Sequence, residues 1–211
     1  MNTRHLSFTL ARLIIGAACL VSTASCGGEL LRTGRAPVIL VVTNMQASNG
    51  QSAQTFTSFL LSDVQTIVEQ TIDGATVRVA TIFNDNAQAT FRVEAKNQSA
   101  ETSPLNAVTI TRYRVNFRRA DGRNTPGVDV PYGFDGAVTV TVSPGEQASV
   151  GFELIRHQAK LEPPLRNLIG RGGLGFISAI AEVTFYGRDQ NGNELIATGS
   201  IDVQFGDFAD E

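Results

Sequence analysis

Few side chains in this sequence could carry out a reaction. Beyond the first 26 residues it holds one histidine, His157, and no tryptophan, and its two cysteines are Cys19 and Cys26. A Ser-His-Asp site would need His157 as its base. No serine lies in a G-x-S-x-G elbow to pair with it. Thiolate and histidine zinc centres need several such ligands, so both are excluded. Two converging carboxylates would suffice for glycoside hydrolysis. The sequence does not show which two would meet, so no catalytic residue is assigned and a non-enzyme is expected.

Four motifs could bind something. Gly170-Arg171-Gly172-Gly173-Leu174-Gly175 has the spacing G-x-G-x-x-G. A dinucleotide site needs a strand before it and a helix opening after it. Here Glu162-Pro163-Pro164 lies upstream and a β-like run, Phe176–Tyr186, lies downstream. A mobile contact loop carrying Arg171 is expected, with no nucleotide. Arg112, Arg114 and Arg118 share one strand face, a pattern suited to carboxylate or phosphate. Cross-strand pairing with Glu94, Glu153 and Glu182 is the plainer expectation. Asp189, Asn191 and Asn193 offer alternating oxygens of the kind calcium takes. Asn191-Gly192 also reads as a hairpin turn, which explains the same residues. Tyr132, in Pro131-Tyr132-Gly133-Phe134, is the best candidate for an exposed binding aromatic. No metal and no cofactor is expected.

These residues need a scaffold, and its pattern is β. Ala89–Lys96 alternates, with Phe91, Val93 and Ala95 on one face. Val108–Arg118 sets Tyr113, Val115 and Phe117 opposite the arginines. Ala137–Val142, Ser149–Ile155, Ala179–Tyr186 and Glu194–Phe205 follow. Period-two alternation marks half-buried strands. Val38–Val42, Ser58–Leu61 and Thr76–Phe83 add three more. Asn84-Asp85-Asn86 and Asp121-Gly122 read as turns, and Pro144-Gly145 as a hairpin. Ser62–Gln70 and Leu165–Ile169 could each form a helical turn or two. About nine strands with regular turn chemistry predict a sandwich or barrel.

The N-terminus specifies an address. Arg4, His5 and Arg12 precede the short apolar run Leu13–Val21, then Ser22-Thr23-Ala24-Ser25 and Cys26. A charged, apolar, then small-residue order marks a secretory signal. The run is too short for a bilayer, which needs about 20 residues. These residues resemble the bacterial lipoprotein signal class, with Thr23 where that class usually carries Leu. The resemblance implies cleavage before Cys26 and lipid on its thiol. Gly27 in place of Asp implies passage to the outer membrane; the alternative is ordinary secretion after Ala24 or Ser25, leaving Cys26 as a free thiol in a secreted or periplasmic protein.

The signal carries two of the 17 basic residues and none of the 20 acidic ones, which leaves a mature net charge of −5. That disfavours nucleic acid, whose binding rests on neutralising phosphates. It also disfavours anionic lipid surfaces.

Tyr113-Arg114-Val115-Asn116-Phe117 before Asp121-Gly122, and the closing hairpin through Asn191-Gly192, resemble an immunoglobulin-like or fibronectin-III-like domain. The expectation is an all-β fold: one immunoglobulin-like antiparallel β-sandwich of about nine strands with little helix. Its organisation would be a signal peptide over 1–25, lipidated Cys26 and tether over 26–36, and the sandwich over 37–211. The expected role is that of a structural or interaction module of the cell envelope. Its partners would be the membrane, through the lipid, and an envelope or extracellular protein. A carbohydrate- or calcium-linked binding module is the alternative, and a carboxylate-based envelope hydrolase the second. The loops Asn124–Phe134 and Gly170–Gly175 are the expected contact surfaces.

Overall fold

The computed structural model describes residues 34–97, 99 and 101–208. The expected signal peptide, Cys26 and most of the expected tether lie outside the described residues. The chain divides into two units, Met1–Ala36 and Pro37–Glu211. The second is the β domain.

Among the described residues it holds ten strands. They are β1 (Val38–Ser48), β2 (Phe59–Asp63), β3 (Thr66–Ile72), β4 (Ala75–Thr81) and β5 (Asp85–Ala95), then β6 (Val108–Arg118), β7 (Phe134–Val142), β8 (Gln147–Ile155), β9 (Ile177–Asp189) and β10 (Glu194–Gly206). One sheet has the order β1-β5-β8 and the other β2-β10-β9-β6-β7. Every pairing in them is antiparallel except that of β2 with β10. The sheets face each other with β1 against β10 and β7 against β8. This is a β-sandwich, as the alternation predicts. β9 shows why: Ile177, Ala179, Ala181, Val183 and Phe185 are buried, while the residues between them are not.

Two strands change which parity faces the core. In β1, Val38 and Leu40 point inward and then Met45 and Ala47 do, with a bulge between Val42 and Asn44. In β6, Val108 and Ile110 give way to Tyr113, Val115 and Phe117 across a bulge between Ile110 and Arg112. One extra residue restores burial after the parity slips. The core between the sheets is aromatic. Phe185 meets Phe91 edge-on at 4.8 Å and Phe152 at 5.3 Å. The Tyr113 hydroxyl donates to the Glu153 carbonyl at 3.0 Å. Burial, then the Glu153 carboxylate, pushes that phenol's pKa up.

The strand register defines two poles. At the upper pole lie the ends of β1, β2, β6, β8 and β10 and the starts of β5, β7 and β9. At the lower pole lie Pro37, the turns Ser143–Glu146 and Asp189–Asn193, and the link from β5 to β6. Pro37 accepts there from the Lys96 amide at 2.9 Å.

A buried ion pair sits at the upper pole. Lys160 Nζ lies 3.0 Å from Asp85 Oδ1 and 2.9 Å from Oδ2, and both side chains are 1% exposed. Ser62 Oγ donates to Oδ2 at 2.6 Å, and the Gly50 amide donates to Oδ1 at 2.9 Å. Gly50 has to be glycine, because a Cβ there would stand 2.3 Å from the Asn84 carbonyl oxygen.

Three local expectations are corrected. Asn84-Asp85-Asn86 is not a turn: Asp85 opens β5 and is buried. Ser62–Gln70 is not helical: it ends β2 and begins β3, because Ser62 and Thr66 are buried and paired as strand. Pro144-Gly145 turns the chain but makes no hairpin, since β7 and β8 belong to different sheets. The pair β3 and β4 forms a separate ribbon closed at Asp73-Gly74, with φ of 51° and 80°. Leu165–Leu168 is a short 3-10 turn and His157–Lys160 a single helical turn.

Phe185→Ala would leave a cavity where three aromatic rings meet, and such truncations cost about 3–5 kcal/mol. Urea unfolding is expected to show a loss of that size with the fold retained. A loss under about 1 kcal/mol would mean that this ring cluster is not the core.

Candidate functional site

Sheet pairing accounts for the arginine face. Arg112 and Arg114 both reach Asp135, at 3.2 and 2.9 Å, and Arg118 reaches Glu182 at 3.2 Å. The Arg112 guanidinium also stacks 3.9 Å over the Tyr186 ring. Of the three expected glutamates only Glu182 takes this role, and Glu94 lies 3.5 Å from Arg92 instead. Asp135 serves because β7 lies directly beside β6. Exposed pairs of this kind add little stability.

Beyond β6, Asp121 is gripped by two arginines, Arg119 and Arg123, each with its Nη2 at 2.7 Å. Their hydrogen bonds hold its carboxyl well below the usual carboxylate range. Asp121 raises Arg123 in return. Asp121 and Asp202 line one shallow depression with Arg119. A carboxylate serving as general acid needs its pKa raised. Asp121 is shifted the other way.

Asp189 organises the lower turn. Its Oδ1 accepts from the amides of Asn191 at 3.0 Å and Asn193 at 2.8 Å, and its Oδ2 accepts from Asn193 Nδ2 at 2.7 Å. Gly192 takes φ 82°, as the tight turn requires. Among the described residues no three of His, Cys, Asp and Glu gather to hold a metal.

Gly170–Gly175 leads into β9 and opens no helix. The Gly170 amide donates to Asp207 Oδ2 at 2.5 Å, which ties the start of the loop to the chain after β10. Arg171 lies exposed beside Gly175. At the loop's far end Leu174 is 96% exposed and Phe176 57%. Leu174 lies within the expected contact loop and Phe176 just beyond it, and two large apolar residues flanking Gly175 are a readable sign.

Tyr132 is 58% exposed. It borders a cleft of about 200 Å³ lined by Pro131, Phe134, Arg156, Gln158, Glu162 and their neighbours. Arg156 stacks 3.8 Å over the Phe134 ring. The sequence could not pair Tyr132 with Arg156, Gln158 and Glu162, because they lie on separate connections. Topology brings them together: the β6–β7 and β8–β9 connections both cross the upper pole. That pole therefore carries both expected contact loops, and Asp189–Asn193 lies at the other.

The Asp121 shift sets a pH dependence. A lowered folded pKa stabilises above the ordinary aspartate value of about 4, and the contribution fades as pH falls through the folded pKa. Because the group is exposed, the stability effect is small. Carboxyl NMR titration is expected to find the Asp121 midpoint below the ordinary value, and to find it restored when Arg119 and Arg123 are both changed to Gln. An ordinary midpoint in the unaltered protein would show that the clamp does not form in solution.

No family model matches this chain, and neither a curated protein nor a solved structure is significantly similar to it.

Proposed function

We propose that this is a lipid-anchored cell-envelope protein with a structural or protein-interaction role and no catalysis of its own. The anchor would be Cys26, on the bacterial outer membrane, with residues 27–36 as a tether. The observation that carries the reading is the division between poles. The chain enters the sandwich at the lower pole through Pro37, and the exposed Leu174 and Phe176 stand at the upper one. Exposed apolar side chains grouped on one surface favour contact with another protein.

Two observations on the described carboxylates support a non-catalytic role. Asp121 is held ionised, and Glu162 is the one carboxylate lining the Tyr132 cleft. Glycoside chemistry needs two.

Two measurements test the reading together. Intact mass of protein extracted from the envelope is expected to match Cys26–Glu211 plus acyl chains, and the acyl mass should vanish in Cys26→Ala. In-cell crosslinking is expected to capture a partner that is lost in Leu174→Asp with Phe176→Ser, while the melting temperature is unchanged. An uncut or unacylated chain overturns the anchor. Capture that is indifferent to the two substitutions overturns the upper pole as the contact surface.

A further inference from the structure

We infer that the cleft beside Tyr132 is a carbohydrate subsite, taking one neutral pyranose unit of a glycan against the Tyr132 ring. Three observations converge there.

The first is an exposed ring held in place. Tyr132 follows a loop that bonds to itself. The Thr125 carbonyl accepts from the amides of Val128 at 3.2 Å and Asp129 at 2.8 Å, and the Gly127 amide donates to the Val130 carbonyl at 2.8 Å. Asp129 Oδ2 accepts from the Thr125 amide at 3.2 Å. The phenol end rests on Gly127 so closely that a Cβ at that position would lie 2.4 Å from the hydroxyl oxygen. A ring fixed before binding loses little entropy when a ligand lands on it.

The second is hydrogen-bonding capacity without an internal partner. The side chains of Gln158 and Glu162 make no hydrogen bond or ion pair among the described residues. Arg156 makes no ion pair there either, and its guanidinium is committed to the Phe134 face. The cleft thus offers an amide that donates and accepts, a carboxylate that accepts and a guanidinium that donates. Adjacent sugar hydroxyls each donate and accept, and this mixed set complements them. One cation and one anion favour a neutral sugar over a charged one.

The third is shape. The cleft is partly open to solvent, and its apolar lining is the Tyr132 ring with Pro131, Phe134, Ala159 and Pro163. A pyranose has a flat C–H face that stacks on such a ring. A protein anchor residue would want a deep desolvated pocket. Of these residues, Tyr132 is the one that stands out in the sequence. The three polar partners come from the connection after β8.

This inference does not rest on the lipid anchor or on the Leu174 surface, so its failure leaves both standing. The test is NMR titration of the isotope-labelled full-length protein with short neutral oligomers of glucose, mannose and N-acetylglucosamine. A proline-rich peptide serves as a separate arm. At least one oligomer is expected to shift the amides of residues 132–134 and 156–162. Tyr132→Ala should weaken that binding by about tenfold or more, the scale of a lost stacking anchor. Tyr132→Phe should retain most of the binding, and Glu162→Gln should weaken it without moving the melting temperature. Silence across the sugars overturns the inference. So does binding that survives Tyr132→Ala, or a response to the peptide alone.

Discussion

The upper pole depends on one buried ion pair. Taking Asp85 and Lys160 out of water is costly, and the cost is recovered only where every remaining hydrogen-bonding site is met. Here the carboxylate receives both of its oxygens' partners from three separate stretches of chain: Gly50 after β1, Ser62 in β2 and Lys160 after β8. Losing one partner of such a pair leaves an uncompensated buried charge, a penalty of about 3–5 kcal/mol. The pair therefore acts as a fastener. It fixes where β5 begins, where the β1–β2 connection closes, and how the chain leaves β8.

That fastening reaches the proposed binding cleft. Lys160 belongs to the helical turn His157–Lys160, whose Gln158 and Ala159 line the cleft from outside. Glu162 follows two residues later. With Lys160 held inward, its neighbours are held outward at a set place facing Tyr132. The Tyr132 side is fixed independently, by the self-bonded loop over 125–130. Two rigid walls, each positioned by different contacts, make a preformed cleft that needs no mobile lid.

Most of the sandwich was legible from alternation, because burial of one face imposes a period of two. The bulge in β1 was not legible, because Val38–Val42 is apolar at every position and shows no parity. The ion pair is hard to see in the sequence, because Asn84-Asp85-Asn86 has strong turn chemistry that masks its parity. Carrying the buried series Phe91, Ala89, Ala87 back two residues puts Asp85 in the core. Nothing near Lys160 gives the matching sign, since Gln158-Ala159-Lys160 looks like any solvated turn. Pairs separated by 75 positions are set by topology, which a lone sequence does not display. The same holds for Arg156, Gln158 and Glu162 meeting Tyr132. Ser62–Gln70 misled because its buried positions depend on β10 and on the ribbon partner β4, both remote in sequence or unrecognised locally.

The most direct test of this dependence is amide hydrogen exchange in Lys160→Met. Met keeps much of the side chain's bulk and removes the charge. The expected result is faster exchange at Gly50, Val64 and Leu161 around the upper pole, with Asp189, Gly192 and Glu146 at the lower pole keeping their original rates. Unchanged protection at the upper pole, or equal loss at both poles, would contradict the ion pair as the fastener of that end of the sandwich.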